Sequence, residues 1–600
     1  MVEVGRDIKT GKRAYIPKKT RSTHMHVIGS TGTGKSKFLE WMIRRDIINE
    51  NGLCLIDPHG YLYKDLVTWL TEKEEYLGDR QIILFDPSDE KMTFGFNPLR
   101  QGTASLSYLV DGMVEACAKV WGGEDMDKTP LLRRCLTIIF HALAENNLSL
   151  LEAQYLADFN EYEVRSYLAG RINDPVIRRE WRKFNKLDRK TFIEYIFSTE
   201  NRLLEFLKSP LIRYTIGQID NTLNFRKAMD EGHIVLINLA SRDIVSDANA
   251  QLLGSLIVND LFMNARARPE GSPPFYCYID ECGLFVNNDV GRILDEGRKF
   301  GLHLILAHQH LAQLKKAGEH IYHSVMTNAK TKVIFGGLNF EDAEMMVKNV
   351  FLGELDLEEW KQGLTRPTIV GMTRTWFENY SKSRGSAAGS GHTTSIGSGS
   401  AKGEGTAASE SNSASMIYSC DGQVLMIPNT VVEAVGTAAS QTQMRSASES
   451  MSEGWNDFII ESESESEGRS EGMEPIFEDL SVSAHTLEEQ IWRTMAVMVN
   501  QPTQHAIIKM PGMSPQFVKV PNIESAYARD PHIKQFREAT YKKIYFARPV
   551  EETRKAIELR ANLLESEAFK FVAKAEAAKE EGKIIDVEPE KAADFKEEYK

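Results

Sequence analysis

The segment GSTGTGKS at residues 29–36 limits what this chain can fold into more than any other part of its sequence. It fits the spacing G-x-x-x-x-G-K-[S/T], in which glycines let the backbone curl so that amide N–H groups point at phosphate oxygens. An apolar run, residues 25–28, precedes it, and an amphipathic helical pattern, residues 37–49, follows it. An ordinary glycine turn is the competing interpretation, and this context disfavours it. The sequence therefore predicts a P-loop between a strand and a helix.

The residue types of this loop predict ATP and Mg²⁺ as its ligands. We expect the Lys35 ammonium to reach the β- and γ-phosphates and the Ser36 hydroxyl to bind Mg²⁺. Backbone amides and the positive end of the following helix would supply the other phosphate contacts. The predicted nucleotide-binding residues of the loop are Gly29, Ser30, Thr31, Gly32, Thr33, Gly34, Lys35, Ser36 and Lys37.

Two further apolar runs end in carboxylates that belong beside such a loop. FYCYIDE places Asp280 where it would hold the Mg²⁺, and Glu281 where it would activate the attacking water as a general base. Acidic residues commonly end strands, so this pair is informative because a P-loop accompanies it. LCLIDPHG ends with Asp57, on the strand after the P-loop helix. Asp57 is a candidate nucleotide-site residue, and a purely structural role is equally open.

Seven strand-length apolar runs set the fold class. Most read as continuous apolar segments, which are typical of strands buried on both faces of a mainly parallel sheet. Helical patterns lie between them, so the sequence predicts an α/β, doubly wound fold. The seven runs are MHVIGS, LCLIDPHG, QIILFDPS, HIVLINLA, FYCYIDE, LHLILAHQ and TKVIFGG.

Composition divides the chain into parts. Residues 1–102 and 227–379 carry the strand signals and are expected to form two parts of one ATPase domain, separated by an all-helical insertion at 103–226. Residues 380–479 are rich in Ser, Gly and Glu, so disorder is the favoured interpretation, because such a segment buries little apolar surface. A long polar β-hairpin is the alternative. Residues 480–600 are expected to form a small C-terminal unit that ends in a charged helix.

Taken together, these motifs resemble the HerA–FtsK superfamily of ring-forming DNA-pumping ATPases. Within it they are similar to HerA-like and TraG/TraD-type conjugative coupling ATPases. The resemblance covers the sheet domain and implies a RecA-like P-loop NTPase fold. It rests on GSTGTGKS, IDPHG, FNPL at 96–99, IDE at 279–281, EGRKFGLHLILAHQHLAQL and TNAKTKVIFGGLNFEDAE.

The resemblance implies roles for two more residues. Arg298, in GRKFGL, matches the position of an arginine finger offered to the nucleotide of a neighbouring subunit, with Arg292 as the reserve candidate. A solvated cation near the end of a helix is the alternative for Arg298. Gln309 ends the run LHLILAHQ and matches the polar sensor of the γ-phosphate, although a glutamine at the end of a strand is commonplace.

The function implied by the resemblance is an ATP-driven DNA translocase. It would be a homo-oligomeric ring, a hexamer, that binds DNA independently of sequence and works with a nuclease or relaxase partner. A secretion-type ATPase that moves or assembles protein cargo and a nucleotide-gated scaffold are the alternatives. The candidate DNA contacts are Lys315 and Lys316, the basic cluster at 178–190 and the basic stretch at 9–21. For the cluster, and equally for the basic stretch, a solvated surface is the alternative.

Charge and hydropathy exclude other classes. A net charge of −13 argues against a protein that coats nucleic acid with positive charge. No stretch approaches the roughly 20 apolar residues of a membrane-spanning helix, and the N-terminus lacks the apolar region of a signal peptide. We therefore expect a cytoplasmic protein without a membrane span, unlike conjugative coupling proteins, which usually carry N-terminal transmembrane helices. The sequence has no zinc-binding spacing, nuclease constellation or nucleophile elbow.

Overall fold

A computed structural model describes residues 1–100, 105–122, 130–240, 246–285, 288–351, 366–391, 417–418, 424–425, 456–480 and 487–580. The chain divides into two compact units. One is Met1–Asp356 together with His485–Lys600, and the other is Leu357–Ala484. Every residue predicted for the nucleotide site belongs to the first unit.

The strands follow the chain in this order: β1 Val2–Asp7, β2 Arg13–Ile16, β3 Met25–Ile28, β4 Gly52–Asp57, β5 Ile82–Phe85, β6 Met92–Phe94, β7 Ile234–Asn238, β8 Phe275–Ile279, β9 Leu302–His308, β10 Thr331–Phe335, β11 Arg366–Gly391, β12 Ile417–Tyr418, β13 Val424–Leu425, β14 Asn456–Leu480, β15 His505–Lys509, β16 Gln516–Lys519 and β17 Ala547–Pro549. An 11-stranded sheet forms the centre of the first unit, in the order β2-β1-β16-β15-β10-β3-β9-β8-β4-β7-β5.

The central part of this sheet, from β10 to β5, is parallel throughout. Its seven strands are the seven apolar runs predicted from the sequence. Every residue of β4 and β9 is buried, because helices cover both faces of the sheet. The predicted α/β class is therefore confirmed.

The other four strands of the sheet are antiparallel. β15 pairs with β10, β16 with β15, β1 with β16, and β2 with β1. The sequence led us to expect a separate unit at 480–600, and the structure differs, since β15 and β16 continue the main sheet. β10 is the last strand of the parallel part, so without β15 its outer N–H and C=O groups would lack ladder partners.

The helices are α1 Lys18–Arg21, α2 Lys35–Ile48, α3 Tyr61–Glu72, α4 Leu106–Gly122, α5 Pro130–Glu145, α6 Ala153–Ala157, α7 Tyr162–Gly170, α8 Pro175–Phe184, α9 Arg189–Leu207, α10 Pro210–Ile216, α11 Phe225–Asp230, α12 Asp247–Arg266, α13 Asn288–Glu296, α14 Leu311–Ala317, α15 Glu319–Asn328, α16 Phe340–Phe351, α17 Leu487–Val499, α18 Asp530–Tyr541 and α19 Val550–Glu580. Within the described ranges, no helix combines the length and the apolar content that crossing a bilayer requires.

Between β6 and β7 the described secondary-structure elements, from α4 to α11, are all helices. Its core includes Trp181, whose Nε1 donates to the Ile138 carbonyl at 3.1 Å, and Phe184. The aromatic residues of the basic cluster at 178–190 are therefore core residues. The terminal helix α19 packs against α7, with the Tyr167 and Phe571 rings 5.6 Å apart. Helix α19 thus belongs to this helical part and not to a unit of its own.

The second unit contains a long antiparallel pair of strands. β11 pairs with β14 from Arg366 opposite Leu480 to Gly391 opposite Asn456. The short strands β12 and β13 also pair. The polar β-hairpin alternative fits these strands. The rest of the predicted low-complexity segment at 380–479 lies outside the described residues.

Candidate nucleotide-binding site

The phosphate loop joins β3 to α2, and its glycines take conformations that other residues resist. Gly32 and Gly34 have φ values of +81° and +112°, in the left-handed region. A Cβ atom on Gly29 would come within 2.5 Å of the Phe335 Cβ on the neighbouring strand. No side chain caps the first turn of α2, which begins at Lys35. The N–H groups of that turn are therefore available to an anion.

The remaining loop residues divide into those that shape the loop and those at its mouth. The Thr33 hydroxyl donates to the Ser30 carbonyl at 2.7 Å, and the Ser30 N–H donates to the Gly336 carbonyl at 3.2 Å. Thr31 and Ser36 are exposed. The Ser36 hydroxyl follows Lys35 directly at the start of α2, where it is accessible to a metal ion beside bound phosphates.

Lys35 is paired with Glu281 in this structure. The Lys35 Nζ lies 3.0 Å from the Glu281 Oε1, and both residues are 5% exposed. Gln309 Nε2 donates to the same oxygen at 2.9 Å, and Gln313 Nε2 donates to the Glu281 Oε2 at 3.2 Å. Burial acts to raise the pKa of Glu281, but the Lys35 charge and these hydrogen bonds outweigh it, so the pKa lies below its usual value.

The two carboxylates at the end of β8 differ in environment. Burial raises the pKa of Asp280 to about 6, against the opposing effect of Lys35 and with support from the nearby Asp57 and Glu281 charges. The Glu281 N–H donates to the Asp280 Oδ1 at 3.1 Å. Glu281 has φ +45° and ψ +48°, a left-handed conformation that costs a non-glycine residue about 1–3 kcal/mol. The residue in this left-handed conformation is the one whose side chain contacts Lys35.

Gln309 connects the phosphate loop to Glu281. The Thr31 hydroxyl donates to the Gln309 Oε1 at 3.1 Å, on the side of the amide opposite to the bond with Glu281. The order of strands explains this placement, because β9 lies between β3 and β8 and ends just before Gln309. Sequence reasoning missed Gln313, whose Oε1 also accepts the Gln309 N–H at 3.0 Å. Its only signal was a glutamine in the first turn of a helix, a position typical of capping.

Arg298 is far from the phosphate loop of its own chain. It is exposed in a short 3₁₀ turn, Gly297–Phe300, just before β9. The loop lies at the other end of the parallel strands, beyond Gln309. The seven residues of β9 alone span roughly 20 Å. Arg292 is also exposed and lies in α13, before that turn. The structure therefore does not bring either arginine to the site of the same chain.

The Lys37 side chain is committed to other partners. Its Nζ donates to Glu40 Oε2 and to Asp65 Oδ2, both at 2.8 Å. Those carboxylates belong to α2 and α3, which places the ammonium between two helices. Only the backbone N–H of Lys37 remains a candidate phosphate contact.

The Asp57 carboxylate accepts hydrogen bonds from the backbone that follows it. Its Oδ1 accepts the His59 N–H at 2.9 Å and its Oδ2 accepts the Tyr63 N–H at 2.8 Å. The carboxylate is buried and joins the end of β4 to the start of α3. These bonds favour the structural role over direct nucleotide binding, although its charge contributes to the raised pKa of Asp280.

Arg21, one of the basic residues proposed to contact DNA, belongs to an ion pair in the core. Arg21 is buried, and its Nη1 and Nη2 donate to the two Asp46 oxygens at 2.6 and 2.7 Å. Arg21 is therefore not available to DNA. By contrast, Lys315 and Lys316 lie in the last turn of α14, and the Lys315 Nζ lies 5.2 Å from the centre of the Tyr322 ring.

A buried histidine pair, which sequence reasoning missed, links β3 to β9 behind the loop. The Nε2 atoms of His26 and His308 are 2.6 Å apart. His308 Nδ1 faces the His310 carbonyl at 3.0 Å, so it carries the proton, and the His26 Nε2–H donates to the His308 Nε2. Burial lowers the pKa of both rings, that of His308 to about 3. The pair is therefore neutral, and it fixes the strand end that presents Gln309.

Comparison with known proteins identifies the family of this chain. Residues 11–371 match the profile of the family described as Type IV secretion-system coupling protein DNA-binding domain. The chain belongs to this family. The matched residues make up more than half of the chain and include the whole parallel part of the sheet. Membership in the coupling-protein family confirms the resemblance to conjugative coupling ATPases.

Individual coupling proteins are distant relatives. The chain is 22% identical over 392 residues to the Type 4 coupling protein DotL of Legionella pneumophila, a match that covers 55% of this chain and 49% of DotL. The chain thus spans about half the length of that relative. Among solved structures, the unbound conjugative coupling protein TrwBdeltaN70 is similar over 88% of this chain and 91% of its own, at 14% identity and a TM-score of 0.47. VirB4 of Thermoanaerobacter pseudethanolicus is similar over 58% and 87%, at 13% identity and a TM-score of 0.38.

Proposed function

We propose that this chain is an ATP-driven DNA translocase that works as a ring of identical copies. One observation carries the proposal. Lys35, Glu281 and Gln309 are joined by hydrogen bonds beside the phosphate loop, at the carboxyl ends of the parallel strands. Arg298 lies at the opposite, amino ends of those strands. A cation that is placed on the transition-state charge accelerates phosphoryl transfer. Because Arg298 cannot reach its own loop, a neighbouring copy would supply it.

The residues of the site have the chemistry that ATP hydrolysis needs. Lys35 would exchange Glu281 for the β- and γ-phosphates, and the released Glu281 carboxylate would take the proton of the attacking water. The water oxygen then bonds to the γ-phosphorus as the bond to ADP breaks. Gln309, which already touches Glu281 and Thr31, would orient the water.

The exposed Ser36 hydroxyl and the buried Asp280 carboxylate are the donors that would hold Mg²⁺. Oxygen donors of this kind suit that ion. The ion would neutralise charge on the phosphates. With its pKa at about 6, Asp280 is mostly ionised at neutral pH and so able to serve.

Family membership supports DNA as the cargo, since the matched family is described by its DNA-binding domain. A motor that must pass every sequence holds the phosphate backbone and not the bases. We propose a hexamer as the ring and a relaxase or nuclease as the partner that processes the DNA. Because the proposed translocase consumes ATP, we propose that it acts in the cytoplasm.

The direct test is ATPase activity with and without duplex DNA. We expect DNA to stimulate hydrolysis, Lys35→Ala to abolish it and Glu281→Gln to lower it by about 10²–10⁴. Equal rates with and without DNA, together with a chain that stays monomeric with bound nucleotide in analytical ultracentrifugation, would refute the proposal.

Two further measurements separate the alternatives. Gel shifts over a salt series should show DNA binding that weakens steeply with salt, whereas absence of binding at low salt would favour a protein cargo. Multiple ATP turnovers per active site are expected. Less than one turnover in a long incubation would favour a nucleotide-gated scaffold.

A further inference from the structure

The turn between α17 and β15, residues 500–504, lies against the phosphate loop although it is remote in sequence. The Gln504 N–H donates to the Thr33 carbonyl at 2.8 Å. A Cβ atom on Gly34 would come within 3.2 Å of both the N and the Cα atoms of Gln504. The C-terminal segment therefore touches the two residues that immediately precede Lys35.

Gln504 is held in an unfavourable conformation. Its φ is +63°, in the left-handed region, at a cost of about 1–3 kcal/mol for a residue with a side chain. Its carbonyl accepts the Val520 N–H at 2.8 Å, and its Nε2 donates to the Asn522 Oδ1 at 3.1 Å. These bonds on the far side of the turn offset the strain and keep the Gln504 N–H directed at Thr33.

A second set of bonds ties the same turn to the other end of the loop. The Gly336 carbonyl accepts the Ser30 N–H at 3.2 Å, and the adjacent Gly337 N–H donates to the Val499 carbonyl at 2.8 Å. Gln501 Nε2 donates to the carbonyl of Ile334 at 3.2 Å. The glycine pair after β10 thus lies between the phosphate loop and the end of α17, in contact with both.

The bond from Gln504 has a geometric consequence. Thr33 C=O and Gly34 N–H belong to one planar trans peptide, so they point in opposite directions. With the carbonyl held by Gln504, the Gly34 N–H must point away from the turn, toward the concave side of the loop where phosphate would lie. Gly34 has no Cβ to resist a flip of this peptide, and the Gln504 bond resists it.

We infer that Gln504 is a positioning residue of the nucleotide site, and that the turn at 500–504 couples phosphate binding to α17. The inference rests on the proposed binding of ATP and goes beyond it, since neither the P-loop spacing nor the carboxylate motif includes this segment. Nucleotide bound to the Gly34 N–H strengthens the Thr33–Gln504 bond, because the two hydrogen bonds polarise the same peptide. The end of α17 becomes more ordered as a result.

A pair of proline variants tests the positioning role. Gln504→Pro removes the N–H and cannot adopt the positive φ. Glu50→Pro is the matched control, because Glu50 also has a positive φ, +58°, and its N–H donates to the Ile47 carbonyl at 3.1 Å at the far end of α2. We expect both variants to lower the melting temperature by similar amounts. Only Gln504→Pro should weaken binding of a fluorescent ATP analogue with Mg²⁺, by about tenfold, the value of one hydrogen bond of about 1.4 kcal/mol.

Gln504→Gly keeps the N–H and accepts the positive φ, so it should bind the analogue within about twofold of the natural chain. A folded Gln504→Pro variant with the affinity of Glu50→Pro would overturn the inference. An affinity loss in Gln504→Gly as large as that in Gln504→Pro would also overturn it, because the backbone bond would then not be the cause.

Hydrogen exchange of the unmodified full-length chain keeps the inference testable if Gln504→Pro fails to fold. Addition of a non-hydrolysable ATP analogue with Mg²⁺ should slow exchange in peptides covering 29–40 and 499–510, and leave α5 unchanged. Slowing in 29–40 alone would refute the coupling while sparing the proposed function. Slowing in neither peptide would refute nucleotide binding itself.

Discussion

Lys35 Nζ lies 3.0 Å from Glu281 Oε1, so the lysine expected to bind phosphate is paired with the carboxylate expected to act as base. Both side chains are almost completely buried. A phosphate that enters the loop must compete with Glu281 for Lys35. Binding of the substrate would therefore free the base at the moment when it is needed, and an empty site would keep its two reactive groups paired with each other.

Glu281→Gln should separate binding from hydrolysis. The neutral amide competes less well for Lys35, so we expect the affinity for an ATP analogue to rise several-fold, while hydrolysis falls by about 10²–10⁴ through loss of the base. Asp65→Asn is the control, because it neutralises a half-buried partner of Lys37 and should change neither value. A Glu281→Gln variant that hydrolyses ATP at the natural rate would contradict the assignment of the base.

Arg298→Ala should leave nucleotide affinity intact and lower hydrolysis by roughly 10³, since the residue is expected to act only on the transition state of a neighbour. Lys299→Ala, an exposed cation in the same turn, should have little effect. Mixing Arg298→Ala with Lys35→Ala should restore part of the activity, because some interfaces then combine an intact loop with an intact arginine. Absence of recovery from mixed rings would count against action between subunits.

Arg21→Ala should destabilise the fold by about 3–5 kcal/mol, because it leaves the buried Asp46 carboxylate without its cation. Lys19→Ala, at an exposed site in the same helix, should stay within about 0.5 kcal/mol of the natural chain in urea unfolding. An Arg21→Ala chain of natural stability but weaker DNA binding would show that the arginine serves DNA after all.

Stability should fall as the pH falls below about 6.5, because burial holds several histidines neutral. Burial, with help from the Arg21 and Arg298 charges, lowers the pKa of His303 to about 4. Between about pH 6.5 and 4 the unfolded chain therefore binds a proton at this position that the folded chain does not, and the free energy of unfolding decreases toward acid. Burial raises the pKa of Asp260 to about 7, which acts in the opposite direction, equally in the natural chain and the variants.

His303→Phe should reduce this pH dependence by up to about 1.4 kcal/mol per pH unit, the value of one proton. His323→Phe, at a position where the side chain is 73% exposed, should leave the slope unchanged. Urea unfolding at several pH values between about 7 and 5 measures both. Equal slopes in the natural chain and in His303→Phe would contradict the neutral state of the buried ring.

Local patterns explain what the sequence predicted well. The phosphate loop and the seven parallel strands each depend on a few consecutive residues, so spacing and apolar character were sufficient. The placement of Asp280, Glu281 and Gln309 near the phosphate loop was predictable, because the carboxyl ends of parallel strands meet at the same end of the sheet. The ion pair of Lys37 with Asp65 was not predictable, because it depends on how α2 and α3 lie side by side.

The contacts made by segments that are remote in sequence were also not predictable. Gln504 and Gln313 are ordinary polar residues in sequence, and their contacts exist only because β15 pairs with β10 and β9 lies between β3 and β8. The same holds for the antiparallel strands β15 and β16. Their short apolar runs were visible, but nothing local indicated that they continue a sheet that begins at the other end of the chain.

The order of synthesis gives that sheet a further consequence. Arg6 lies opposite Lys519 in the finished structure, so β1 leaves the ribosome long before its partner strand β16. At about 5–20 residues per second, β16 emerges on the order of tens of seconds after β1 and β2. Until then the first strands and the outer edge of β10 have unsatisfied backbone groups, which attract other nascent chains. A message cut short before β16 would therefore yield a product that carries the phosphate-loop sequence but has an open sheet, a natural substrate for chaperones and proteases.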